Sequence, residues 1–331
     1  MGLTVVSLFD GGAVGLQALK DLGIPVQKYY ASEIDKFAKI VSSKNHPEII
    51  HLGDIKQWLN WKIPWGEVDL ILSGSPCQGF SRSGKQLNFE DPRSKLFFKF
   101  ADILDHVKGK NSEVKFLLEN VPMPKFALEV ITERVGVDAV SINSSQLVPQ
   151  NRLRYYWYNW RSNPISTIPT TLNDILESDV VEGVGKLQQG HTKCQQVIRG
   201  SSVLQYTPLT SHKSKVGLRC LGGVVSEGSK MWLENTETVL QRHFSQGNRV
   251  YSPKGVSCTL SASGGGLGGN SGLYLVGNLI RQLTVLECTR LQGLPEGYTT
   301  GVPESQQKKI LGNGWTLPII KHLFKNLYKH V

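Results

Sequence analysis

The chain has 331 residues, 40% hydrophobic and 19% charged, enough to bury the core of one large domain or two modest ones. The 37 Lys and Arg exceed the 27 Asp and Glu, and the net charge of +10 points to a polyanionic partner or, equally on composition alone, to plain solubility. Five widely spaced cysteines (Cys77, Cys194, Cys220, Cys258, Cys288) argue against a disulfide framework or a structural zinc site, and no apolar run approaches membrane-spanning length. With no basic leader ahead of the first apolar run, and Val6 where a myristoylation signal needs Ser or Thr, a reducing intracellular compartment is the default expectation.

Thr4–Phe9 predicts a buried strand, followed by a Gly-containing turn and a helix over Leu16–Leu22. In that turn, Phe9-Asp10-Gly11-Gly12-Ala13-Val14-Gly15, glycines let the backbone bend tightly and approach a ligand, although many α/β proteins carry such a turn without one. Lys28–Glu33 predicts a second strand and Ile34–Ser43 a helix behind it. Glu33 and Asp54 close consecutive apolar runs, where carboxylates can accept ribose hydroxyls or an adenine amino proton. No Walker-type lysine follows the glycines, so a nucleoside fits better than a triphosphate.

Val68–Ser73 is the next strand, and Gly74-Ser75-Pro76-Cys77-Gln78-Gly79-Phe80 follows it directly. A lone Cys is usually a small buried hydrophobe, but a polar Gly/Pro loop is a poor place to bury one, which favours a nucleophile. The polar Ser81–Ser94 segment leads to a helix over Ser94–Val107. Lys115–Glu119 is a fourth strand, with Glu119-Asn120 at its end, then come a helix over Lys125–Val135 and strands over Ala139–Asn143 and Arg154–Trp160. Arg152 and Arg154 are two residues apart, so in a strand both could face one anionic or carbonyl-rich target, or be ordinary solvated arginines. Strand–helix alternation of this kind predicts an α/β fold, a doubly wound, mostly parallel sheet with ligands at the carboxyl ends of its strands.

Near Ser162–Pro169 the pattern changes. From there to about Asn278 the sequence is rich in Gly, Ser, Thr and Gln, most of all at Ser261–Gly272, and predicts a small, irregular β-rich domain rather than a linker. Helical periodicity returns at Thr284–Leu291, Glu304–Leu311 and Pro318–Tyr328. The expected division is residues 1–162, 163–278 and 279–331, the last returning to the first domain.

FDGGAVG, SPCQ, ENV, QNRLR, RQLTVLECTRLQGLP and GNGWTLPII resemble, in order and spacing, the successive motifs of the cytosine-5 DNA methyltransferases. Arg249–Gly266 resembles the segment closing the target-recognition domain of bacterial members. PCQ is the bacterial form of the catalytic loop, whereas Asp10 and Gly314-Trp315 are closer to the animal de novo enzymes, which differ in turn at Asn313.

The resemblance implies a Rossmann-like, S-adenosylmethionine-dependent methyltransferase that releases S-adenosylhomocysteine, with Cys77, Glu119, Arg152 and Arg154 as catalytic residues. Phe9, Asp10, Gly11, Gly15, Glu33, Ile34, Asp54, Ile55, Ser75, Pro76, Leu96, Asn313 and Trp315 would bind the cofactor. Gln78, Ser81, Asn120, Gly265 and Gly266 would contact the substrate, double-stranded DNA, whose target cytosine must leave the stack. Gln282, Arg290 and Gln292 would support the recognition domain. No metal and no membrane are expected. A cytoplasmic monomer in a prokaryotic or viral-host cell, with a restriction enzyme as a genetic partner, fits this reading. A catalytically silent relative would lack Cys77 or Glu119, and a transfer-RNA methyltransferase of the family would carry a Cys-Phe-Thr insertion; neither holds here.

Overall fold

In the computed structural model, residues 2–75, 95–180, 185–187, 195–199, 202–213, 219–226, 248–264 and 267–327 are described. The first half alternates β1 (Leu3–Leu8), α1 (Val14–Asp21), β2 (Val26–Ser32), α2 (Lys36–Asn45), β3 (Ile50–His51), β4 (Leu70–Ser73), α3 (Lys95–Lys108), β5 (Lys115–Asn120), α4 (Lys125–Val135), β6 (Val140–Asn143) and β7 (Leu153–Tyr158). These strands form one seven-stranded sheet in the order β3-β2-β1-β4-β5-β7-β6, parallel from β3 to β5. Period-2 side-chain alternation splits the apolar residues between two cores. Val5, Leu70, Leu72 and Leu117 point to one face, and Val6, Ile71, Phe116 and Leu118 to the other. Both faces are therefore covered, as the near-continuous apolar runs required.

The order reverses at β1, with β2 on one side and β4 on the other, so the loops after β1 and β4 open into one crevice. Three local expectations shift in detail. Helix α2 starts at Lys36 rather than Ile34, because the Asp35 side chain caps the amides of Phe37 and Ala38. The run to Asp54 is strand only at Ile50–His51, and Asp54 instead caps a 3₁₀ turn through the Lys56 amide. The aromatic strand is β7, antiparallel to both β5 and β6 and ending at Tyr158. The Asn159 side chain takes the place of backbone there, accepting from the Phe116 amide at 2.9 Å and donating to the Val114 carbonyl at 2.9 Å.

The Gly- and Ser-rich region is more regular than its composition suggests. β8 (Gly185–Leu187), β9 (Gln195–Arg199), β10 (Ser202–Lys213), β11 (Arg219–Ser226), β12 (Arg249–Tyr251), β13 (Leu273–Val276) and β14 (Leu279–Arg281) close into a barrel, so each of these described strands has a neighbour on both sides. Strands β12 and β13 pair in parallel, and the described residues 261–264 and 267–272 lie on the crossover between them. Residue 278 lies in the turn between β13 and β14.

Strand β14 runs into α5 (Val285–Leu291), followed by α6 (Glu304–Asn313) and α7 (Leu317–Phe324), which packs on α1. Thr284 and Glu287 form a capping box at the start of α5. Glu287 is fully buried and its carboxylate meets the Arg281 guanidinium in two 2.7 Å bonds, while also accepting from the Thr284 and Glu177 amides at 2.9 Å. Removing the cation would strand a buried charge. Arg281→Met is expected to lower unfolding free energy by about 3–5 kcal/mol in chemical denaturation. A loss below about 1 kcal/mol would mean that the barrel and α5 do not depend on this pair.

Candidate active site

At the carboxyl edge of the sheet, the loops after β1, β2, β4 and β5 and the segment between α6 and α7 enclose a cavity of about 390 Å³, the size of a small-molecule site. It is lined by Phe9, Asp10, Gly11, Glu33, Ile34, Asp54, Ile55, Ser75, Leu96, Glu119, Asn120, Arg152, Arg154, Asn313 and Trp315, residues from motifs spread over some three hundred positions of sequence. Gly15 lies one layer behind this wall, against Leu72, Trp315 and Tyr29, where any Cβ would collide with Leu72. Pro76, Cys77, Gln78, Ser81, Gly265 and Gly266 lie outside the described residues.

The loop after β1 takes an uncommon path. Phe9, Gly11 and Ala13 all have positive φ, at 58°, 58° and 60°, and two of the three are not glycine. Such a backbone persists only where its surroundings hold it. Glu33 supplies one clamp: one carboxylate oxygen accepts from the Gly11 amide at 2.9 Å, the other from the Ile34 and Asp35 amides at 2.7 Å each. A carboxylate has about four acceptor positions, so one remains for a ligand hydroxyl. Ile34 stands beside it, 71% exposed at the cavity rim, an apolar surface that a planar ring would cover.

A second clamp comes from behind. Tyr298 donates to the Gly12 carbonyl at 2.7 Å, so its oxygen can only accept from His46 Nε2, 3.1 Å away, and His46 Nδ1 accepts in turn from Lys20 Nζ at 3.2 Å. This order of donors requires a neutral imidazole; burial first, and then the Lys20 charge, hold His46 down to about 4.

Asp10 tucks its carboxyl beneath the loop. Tyr29 donates to one oxygen at 2.7 Å, and the other is buried without a hydrogen-bond partner. Burial pushes this carboxyl up to about 7, against the pull of the Ser7 and Tyr29 hydroxyls and with the Glu33 charge adding to the rise. Asp10 therefore meets the cavity mainly through its backbone.

Glu119 sits at the end of β5, 8% exposed. Arg154 Nε lies 3.0 Å from one carboxylate oxygen, and the Trp315 indole N–H donates to the other at 3.2 Å. Asn120 is also buried, its amide donating to the Ser75 hydroxyl at 3.2 Å, so the ends of β4 and β5 are tied together at the root of the SPCQ loop. Arg152 and Arg154 do not share a target. Arg152 precedes β7 and is 3% exposed, and its guanidinium donates to the carbonyls of Leu260, Gly312 and Gly314 at 2.9–3.1 Å. The strand period holds only within the strand, and Arg152 stands outside it.

Of the residues assigned to supporting the recognition domain, Gln282 donates to the Leu267 carbonyl at 2.7 Å and Arg290 to the Ile175 carbonyl at 3.0 Å. Gln292 instead donates to the Leu311 and Gly314 carbonyls, holding the segment that carries Trp315. Sequence reading did not find the Asp35–Lys309 ion pair, 2.7 Å long at the cavity rim. Its partners are 274 residues apart, and in sequence Lys309 looks like any exposed helix lysine. Among the described residues no cluster of His, Cys, Asp and Glu could hold a metal ion, and no helix is long and apolar enough to cross a membrane.

The C-5 cytosine-specific DNA methylase family model matches residues 3–127 and 136–329. The Type II methyltransferase M.HhaI of Haemophilus parahaemolyticus is 30% identical across 98% of this chain and 94% of its own length. The orphan methyltransferase M.Rho11sI of Bacillus phage rho11s is 31% identical across 83% of this chain and 60% of its own. The Entamoeba histolytica methyltransferase EhMeth has the same fold, with a TM-score of 0.66 at 16% identity, covering 99% of this chain and 98% of that one.

The folded chain retains on Asp10 a proton that the unfolded chain loses above its ordinary 3.8, so this group's contribution to stability falls as pH rises through about 7. Asp10→Asn is expected to flatten the melting temperature between pH 5 and pH 8 relative to the parent and to raise it at pH 8. Parallel profiles in differential scanning calorimetry would show that Asp10 is ionised throughout.

Proposed function

The chain belongs to the C-5 cytosine-specific DNA methylase family and methylates carbon 5 of cytosine in DNA, and we propose that Cys77 is its nucleophile, Glu119 its acid and the 390 Å³ cavity its S-adenosylmethionine seat. The observation that carries this reading is the convergence of the FDGG, ENV, QNRLR and GNGW motifs on one cavity, with the Glu119 carboxyl held at its wall by Arg154 and Trp315.

The cavity suits the cofactor by its donor set. Glu33 has an acceptor position left for ribose, Ile34 offers an apolar face for adenine and Asp54 a carboxylate for its amino group. In the loop at Phe9–Ala13, Gly11 and Gly12 carry no side chain to stand between backbone and ligand.

Carbon 5 of cytosine is a poor nucleophile. A thiolate adding to carbon 6 forms an S–C bond and pushes electron density toward carbon 5, and in sequence Cys77 follows by two residues Ser75, which lines the cavity. As charge grows on the ring, nitrogen 3 needs a proton, which Glu119 supplies while Arg154 fixes the carboxyl and reaches toward oxygen 2. S-adenosylmethionine, when bound, supplies the electrophilic methyl group. A base then takes the carbon-5 proton, and β-elimination breaks the S–C bond at carbon 6 to release the thiolate. A cytosine within duplex DNA must first be flipped out, at a cost of a few kcal/mol. The surplus of positive charge would serve the phosphates on either side.

Incubating the chain with long duplex DNA and labelled cofactor, followed by sequencing for 5-methylcytosine, is expected to give modification at one short motif. Modification of transfer RNA in place of DNA would reject this acceptor. Cys77→Ser is expected to abolish methylation while S-adenosylhomocysteine still binds in calorimetry; retained turnover would rule out the covalent route. Glu119→Gln is expected to slow single turnover by about 10²-fold or more, because an amide cannot deliver the proton. An unchanged rate would remove Glu119 as the acid.

A further inference from the structure

Trp315 both lines the cavity and makes a hydrogen bond to Glu119, through an indole N–H 3.2 Å from the carboxylate oxygen that Arg154 leaves free. Room for its ring is tightest at the glycine that follows β4, and it also touches the glycine turn after β1. A Cβ on Gly74 would stand 3.0 Å from the indole nitrogen, and one on Gly15 3.4 Å from its six-membered ring. The backbone on either side is fixed as well. Arg152 and Gln292 hold the Gly314 carbonyl, and Thr316 donates to Gln292 at 2.9 Å while accepting from Ser144 at 3.0 Å. The ring thus sits in a rigid slot between the end of β4 and the end of β5.

We propose that Trp315 is a positioning residue for Glu119, fixing the plane of the carboxyl and, because the same ring walls the cavity, linking cofactor seating to the orientation of the acid. The inference rests on the reading of Glu119 as the acid. The geometry explains why two donors are needed. Held by Arg154 alone, the carboxyl could turn about its last torsion, which is broad and shallow. Donors at both oxygens fix that torsion and leave one lone pair on each for the proton and the base. An indole N–H is a donor without acceptor capacity, so it cannot compete for the proton that nitrogen 3 must receive. Its loss would leave the acid in place but misdirected, and small misplacements of a reacting group carry large rate penalties.

The test uses the full chain and Trp315→Phe, which keeps an aromatic wall and removes only the N–H and one ring. Single-turnover methylation of long duplex DNA is expected to slow roughly tenfold, a larger loss than any in affinity for S-adenosylhomocysteine, because the phenyl ring still walls the cavity while the N–H to Glu119 is gone. In a Glu119→Gln background the same substitution is expected to cost nothing further, since there is no acid left to aim. An equal loss in both backgrounds would make Trp315 a general structural support and overturn the proposal. So would a full rate in Trp315→Phe beside a slow Glu119→Gln. If Glu119→Gln alone ran at the parent rate, the acid assignment itself would fall, and the positioning role with it. Should Trp315→Phe fail to fold, Gly74→Ala crowds the same indole nitrogen, with its Cβ 3.0 Å away, and is expected to give the same Glu119-dependent loss; its absence would count against the proposal.

Discussion

The buried guanidinium of Arg152 is the contact on which the rest of the site depends. It donates to three carbonyls from two distant segments, Leu260 on the approach to the glycine-rich loop, and Gly312 in the last turn of α6 with Gly314 at its C-cap. Carbonyls at a helix end have no partner within the helix, and burying them unpaired would cost on the order of 1–3 kcal/mol each. One cation satisfies them and fixes where three pieces of chain meet. The meeting is close: a Cβ on Gly312 would lie 2.3 Å from the Ser261 backbone, so glycine is required there. Asn313 and Trp315 flank the carbonyls Arg152 holds, and their place at the cavity follows from its burial.

Around this anchor a polar lattice ties the C-terminal segment to the sheet. Gln150 donates to the Leu291 carbonyl and accepts from the Leu260 amide, and Ser144 reaches Thr316. Buried amides and hydroxyls are costly unless every donor and acceptor is matched, which gives such networks their geometric specificity. The C-terminal helices thereby complete a site whose other lining residues lie between Ser7 and Arg154.

The electrostatics of the cavity sort three acidic groups by their surroundings. Glu119 faces a guanidinium and an indole donor, Glu33 gathers three backbone amides, and Asp10 is buried with one oxygen unmatched and its proton retained up to about pH 7. Neighbouring carboxylates can thus have different settings: one held by a guanidinium and an indole at the cavity wall, one clamping a strained loop while facing the cavity, and one supporting that loop from beneath.

Strand runs, the order of the motifs, the glycine turn and the carboxylates at strand ends were legible in sequence because they depend on local periodicity and on residue chemistry. The Phe9–Ala13 turn follows β1 as its pattern implied, and Glu33, Asp54 and Glu119 all reach the cavity. Other features were decided by tertiary structure alone. The antiparallel insertion of β7, the closure of the β-rich region into a barrel, and the separation of Arg152 from Arg154 all depend on partners far away along the chain. Trp315 meets Glu119 across 196 residues, and Lys309 meets Asp35 across 274. A sequence states which side chains can donate and accept; which of them come within 3 Å is settled when the sheet, the barrel and the C-terminal helices pack, because a hydrogen bond depends on the final positions of both its partners and not on either residue alone.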